Sequence, residues 1–104
     1  MNRTARSLSF PKLDGLQPTL ESTALKLMEE AGELAQAIGK FRGLSGEKLL
    51  LSEAEALEKV ASELLDVAQT AATMMYVLEE QHGVSLEALL AHHEAKLRLK
   101  GYLS

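Results

Sequence analysis

The chain has 104 residues, 46% of them hydrophobic, and a formal net charge of −4. This size fits a single domain over residues 1–104, and the hydrophobic fraction excludes a chain that is disordered throughout. The acidic balance argues against nucleic acid as a partner, and the lack of cysteine excludes disulfides and zinc–thiolate sites. With no apolar stretch long enough for a membrane span and no secretory signal, we expect a cytoplasmic protein.

The first predicted elements are an irregular arm and a helix. Residues 1–17 hold scattered polar groups with Pro11 and Gly15, which is typical of an irregular N-terminal arm. From Pro18 or Thr19 the pattern predicts an amphipathic helix that ends between Gly39 and Gly43. Its apolar residues recur at steps of three and four: Leu20, Ala24, Leu27, Ala31, Leu34 and Ile38.

Two more helices are predicted after a connector over 43–51, in which Leu49–Leu51 fits a short helical turn. The second helix begins at the capping-box sequence from Ser52 and runs to about Gln81. The third begins at Ser85 and runs to about Lys100. No segment alternates with the period of a strand, so we predict an all-α fold.

The middle of the second helix indicates how this fold is completed. Residues 68–75 are apolar or small on nearly every side, which is typical of a helix buried all round. We therefore predict an antiparallel helical bundle with three to four helices per chain, completed by oligomerisation.

Acidic pairs recur on the first two helices. Glu30 and Glu33 share one helical face, as do Glu63 and Asp66, because residues three apart are neighbours on a helix. At about 100° per residue, both pairs lie at the edge of an apolar stripe rather than on the solvent side. The two segments also align at an offset of 33, Lys26–Gln36 with Lys59–Gln69, which hints at a pseudo-symmetric site.

Clustered carboxylates repel one another unless cations lie between them. Oxygen ligands favour Mg²⁺, with Mn²⁺ as the other candidate, and carboxylate-bound Mg²⁺ commonly takes phosphate oxygens as further ligands. The sequence thus favours a metal site for a phosphate-bearing small molecule. The alternative is a solvated acidic face, in which Lys26–Glu30 and Lys59–Glu63 are simple ion pairs between neighbouring turns.

These residues resemble the MazG-like members of the all-α nucleoside triphosphate pyrophosphohydrolases. That family carries Glu-Glu-x-x-Glu on one helix and Glu-x-x-Asp on the next, and here the motifs read Glu29–Glu33 and Glu63–Asp66. The tail Lys100–Leu103 is similar to the family's basic-Gly-aromatic-Leu ending. The resemblance covers roughly residues 18–103.

The resemblance implies hydrolysis of a nucleoside triphosphate between the α- and β-phosphates, giving the monophosphate and pyrophosphate. It implies that Mg²⁺ is held by Glu30, Glu33, Glu63 and Asp66, with Glu29 as an outer catalytic residue that orients water. It also implies a homodimer or homotetramer whose subunits together form the helical bundle.

The last helix departs from the family pattern. Leu97 follows Lys96 where the family often has Asn, although Lys96, Arg98 and Lys100 remain candidates for phosphate binding. The alternative is a structural role, because the helix dipole favours cations at a helix C-terminus. The missing Asn motivates an alternative function, a catalytically weak or inactive dimerisation or regulatory module that binds nucleotide.

Overall fold

The computed structural model describes residues 5–43 and 52–104. Within these ranges the chain forms helices α1 (Leu20–Phe41), α2 (Glu53–His82) and α3 (Leu86–Leu99), and no strand. The prediction of an all-α fold is therefore confirmed. The short helical turn predicted at Leu49–Leu51 lies outside the described residues.

Side-chain caps set the helix ends close to where the sequence placed them. Thr19 caps α1 by a reciprocal pair of hydrogen bonds with Ser22, and Ser52 caps α2 in the same way with Glu55. Helix α2 ends at Gly83, whose φ of 66° lies in the left-handed region that favours glycine. These capping interactions satisfy backbone groups that the ends of a helix leave without intrahelical partners.

Helices α1 and α2 pack against each other as an antiparallel pair. Ala37 near the end of α1 and Ala56 near the start of α2 line one cavity, whereas Thr23 and Thr73 at the opposite ends line another. All four of these side chains are buried. Because these side chains are small, the two helices approach closely along this seam. The acidic residues described below lie in the same seam.

The N-terminal arm lies against the second half of α2. The Gln69 side chain donates a hydrogen bond to the carbonyl of Pro11, and the Tyr76 hydroxyl donates one to the carbonyl of Phe10, both at 3.0 Å. Lys12 forms an ion pair with Glu80 on the same helix. The arm is therefore attached by hydrogen bonds to its backbone even though it forms no helix of its own over residues 5–18.

Helix α3 does not pack extensively on either of the other helices and has no buried residue. The Cα radius of gyration is 17.0 Å, against about 13 Å for a compact chain of this length. The fold is thus more extended than a typical domain of its size. Within the described part of the chain, no helix combines the length and hydrophobicity needed to cross a membrane.

Candidate metal centre

Two glutamates from different helices are buried in the seam between α1 and α2. Glu30 and Glu63 each have a relative exposure of 7%. They lie where the sequence placed them, at the inner edge of each helix's apolar stripe. Charged side chains are rarely buried to this degree without a partner. Their burial therefore marks this part of the seam as a site that the packing of apolar side chains does not explain.

Glu33 joins the two buried glutamates at the surface of the seam. One carboxylate oxygen from each of Glu30, Glu33 and Glu63 lies within 4.8 Å of the others. The negative charge of Glu30, followed by burial and the charge of Glu63, raises the pKa of Glu33 above its ordinary value. Like charges held this close favour a neutral form or a bound cation.

A lysine one turn earlier pairs with each buried glutamate. The Lys26 ammonium lies 3.1 Å from Glu30 Oε1, and the Lys59 ammonium lies 2.8 Å from Glu63 Oε1. The hydrogen bond from Lys59 lowers the pKa of Glu63 in spite of its burial. In return, these contacts raise the pKa of each lysine.

The second oxygen of each buried glutamate lacks any such partner. Among the described residues, the buried side-chain oxygens without a hydrogen-bond partner are Glu30 Oε2 and Glu63 Oε2. An unpaired buried carboxylate oxygen is costly, because burial removes the water that would otherwise solvate it. Two such oxygens on facing helices, with Glu33 beside them, form an oxygen donor set that fits a hard divalent cation.

The remaining residues of the two acidic motifs lie outside this group. Asp66, one turn beyond Glu63, is exposed and is not one of the three clustered carboxylates. Glu29 is also exposed, and its carboxylate lies 3.9 Å from the Lys26 ammonium. The structure thus brings together three of the four residues predicted to bind metal, whereas the predicted catalytic Glu29 is exposed and lies outside that group.

The basic residues at the end of α3 do not line the cavity beside the cluster. Lys96, Arg98 and Lys100 are exposed near the end of α3, and Arg98 lies 3.8 Å from Glu94 of its own helix. No residue of α3 lines the cavity beside the cluster. A role for these three cations in phosphate binding therefore stays a prediction.

The cavity beside the cluster contains residues that the sequence did not single out for this site. It has a volume of about 410 Å³ and lies between the end of α1 and the start of α2. Gln36, Lys40, Phe41 and Lys59 line it together with Glu33 and Glu63. The Arg42 guanidinium lies 4.9 Å from the centre of the Phe41 ring. Apart from the two glutamates, only Lys59 among these lining residues was indicated by the sequence, through its spacing of four residues from Glu63.

Comparison with known proteins agrees with this geometry at the level of the family. No curated protein and no solved structure gave a significant match to this chain. The family model for the MazG nucleotide pyrophosphohydrolase domain matches residues 18–100, a range that includes all three helices and the acidic cluster. Because this match covers most of its length, the chain belongs to the MazG nucleotide pyrophosphohydrolase domain family.

Proposed function

We propose that this protein hydrolyses a nucleoside triphosphate between the α- and β-phosphates, releasing the monophosphate and pyrophosphate in a reaction that requires Mg²⁺ or Mn²⁺. The observation that carries the proposal is the pair of buried, unpartnered oxygens, Glu30 Oε2 and Glu63 Oε2, beside Glu33. Membership of the MazG family supports pyrophosphohydrolase activity independently of that geometry.

The donor set supports Mg²⁺ as the resident ion. Glu30, Glu33 and Glu63 would hold it, and Asp66 would complete the set from the next turn of α2. All of these donors are carboxylate oxygens, which suit Mg²⁺ and Mn²⁺. When bound, such an ion neutralises charge on the phosphates and polarises the phosphoryl group that water attacks.

The protein's own residues supply the space and the proton acceptors. The cavity of about 410 Å³ opens directly onto Glu33 and Glu63, so a polyphosphate in it would meet the clustered carboxylates. We assign Glu29 to orienting the attacking water, because its exposed carboxylate lies near the same Lys26 ammonium that contacts Glu30. A positioned carboxylate can accept the proton that water loses as the anhydride bond breaks.

Exposed apolar side chains along α2 support assembly into a homodimer or homotetramer. Leu57, Leu64 and Met75 are about half exposed, and their spacings of 7 and 11 residues place them on one face of the helix. Large apolar patches on a soluble chain mark interaction surfaces. The extended shape of the single chain and the unpacked α3 support the same proposal.

A panel assay of pyrophosphate release from ribo- and deoxyribonucleoside triphosphates tests the activity. We expect release with Mg²⁺ or Mn²⁺ from at least one nucleotide, and loss of turnover in Glu30→Gln and Glu63→Gln with the helical circular dichroism signal retained. Glu58→Gln is the matched control, because it removes an exposed carboxylate of α2 outside the cluster. Turnover that survives both cluster variants would show that the site is elsewhere.

A second candidate is a module that binds nucleotide without cleaving it. Two observations favour it, the position of Asp66 outside the three-carboxylate group and Leu97 in place of the family's Asn. The same preparation distinguishes the two functions. Calorimetric nucleotide binding without any product after hours of incubation would favour the binding module, whereas stoichiometric monophosphate and pyrophosphate would exclude it.

A further inference from the structure

The two lysines that pair with the buried glutamates are equivalent in spacing but not in surroundings. Each precedes its glutamate by four residues, and each has an exposed side chain, 57% for Lys26 and 61% for Lys59. Each therefore contributes one positive charge to a buried carboxylate at nearly the same distance. If charge compensation were their only role, replacing either one should have the same effect.

Their surroundings differ in what else they contact. Lys59 lines the cavity of about 410 Å³ together with Glu33 and Glu63, two of the three clustered carboxylates. Lys26 instead borders a largely apolar cavity between the N-terminal arm, α1 and α2, lined by Leu13 and Leu16 among others, which holds none of the clustered carboxylates. Lys59 thus faces the space where a substrate would approach the cluster, and Lys26 does not.

A polyphosphate in the first cavity needs positive charge beside it. The carboxylates of Glu33 and Glu63 repel an anion, and within one chain the basic residues of α3 do not line this cavity. Two of the described residues that line it are cations, Lys40 and Lys59, and Lys59 contacts the clustered carboxylate of Glu63. A lysine ammonium has three hydrogen-bond donors, so Lys59 can keep its contact with Glu63 Oε1 and still donate to a phosphate oxygen. Hydrogen bonds between an ammonium and a phosphate are short and strong because both groups are charged.

We infer that Lys59 binds the polyphosphate of the substrate, whereas Lys26 serves as a counter-ion for Glu30 and Glu29 of its own helix. This inference rests on the proposed function and deepens it, because it assigns phosphate recognition to α2 of the same chain. Lys59 also keeps Glu63 Oε1 occupied, so that Glu63 Oε2 remains for the acidic cluster.

Calorimetric binding of pyrophosphate in the presence of Mg²⁺ tests the inference without any need for turnover. Loss of one charged hydrogen bond weakens binding about tenfold or more. We expect that loss in Lys59→Gln and a change of less than about twofold in the matched control Lys26→Gln. Lys59→Arg keeps the charge and should retain most of the affinity. Equal losses in Lys59→Gln and Lys26→Gln would overturn the inference.

Kinetics on the best-cleaved nucleotide separate this inference from the proposed function. We expect Lys59→Gln to raise KM with a smaller change in kcat, and Lys26→Gln to leave KM unchanged. If the wild type cleaves nucleotides and Lys59→Gln leaves both KM and pyrophosphate affinity unchanged, the inference fails and the proposed function stands. If the wild type cleaves nothing but binds pyrophosphate in a Lys59-dependent manner, the hydrolase proposal fails and the inference stands.

Discussion

Replacing Glu63 by Gln should uncouple the stability of the protein from divalent cations. A ligand that binds only the folded state at 100 times its Kd stabilises that state by about 2.7 kcal/mol. For a domain of this size, each kcal/mol shifts Tm by about 4–8 °C, so saturating Mg²⁺ or Mn²⁺ should raise the wild-type Tm by about 10–20 °C.

The structure indicates how much of this shift Glu63→Gln should remove. The change replaces one of the two buried, unpartnered oxygens and removes one of three clustered charges. Changes to residues that merely support a metal ligand already weaken binding 10–100-fold in other proteins, so we expect a loss of at least about 100-fold here. At the same cation concentration the stabilisation then falls to about 0.4 kcal/mol, and the shift in Tm to about 2–3 °C.

Differential scanning fluorimetry with and without cation, at one fixed protein concentration, measures both shifts. Fixing the concentration matters because assembly of subunits makes Tm depend on it. Glu58→Gln, an exposed carboxylate on the same helix outside the cluster, should keep the wild-type shift. Equal shifts in the wild type and Glu63→Gln would refute the assignment of the cluster as the cation site, as would a wild type that does not respond.

Three further changes test other parts of the structure. Hydrogen bonds from Ser52 lower the pKa of Glu55 in the folded state. The ionised form of Glu55 therefore stabilises the folded protein at pH values above the pKa of an unfolded glutamate. In chemical denaturation, the wild type's advantage over Glu55→Gln should therefore vanish as the pH falls below about 4.3, and a pH-independent difference would contradict this. Gly32→Ala should raise the free energy of unfolding by up to about 1 kcal/mol, because alanine favours the helix and a Cβ at this position meets no heavy atom within 4 Å. A lower free energy of unfolding would show that a partner or ligand packs on this turn of α1. Leu64→Glu should convert the proposed oligomer to monomers in sedimentation, whereas Glu58→Gln should not, and an unchanged mass in Leu64→Glu would exclude the apolar face of α2 at Leu57, Leu64 and Met75 as the interface.

The sequence predicted the helices and their ends well, because these depend on local interactions. Thr19, Ser52 and Gly83 act through hydrogen bonds and backbone conformations within a few residues of the helix ends, so their roles follow from the sequence alone. The position of the acidic pairs at the margin of the core could also be predicted, since the edge of an apolar stripe can be located from helical periodicity.

Helical periodicity does not predict which carboxylates of the two motifs come together in the cluster. Asp66 shares a helical face with Glu63, yet only the rotation of α2 against α1 decides which of the two enters the seam. The pairing of Lys59 with Glu63 could be read from a spacing of four, but the cavity that distinguishes Lys59 from Lys26 is formed by tertiary packing. Likewise, the surroundings of Lys96, Arg98 and Lys100 depend on what packs against α3, which is a property of the assembly rather than of one helix.

Anomalous diffraction from crystals grown with Mn²⁺ tests the cation site most directly, because it locates the ion relative to each carboxylate. We expect an anomalous peak in the seam between α1 and α2, coordinated by Glu30 Oε2, Glu63 Oε2 and Glu33. A map at saturating Mn²⁺ with no peak at these oxygens, or with the ion bound only elsewhere on the surface, would contradict the account.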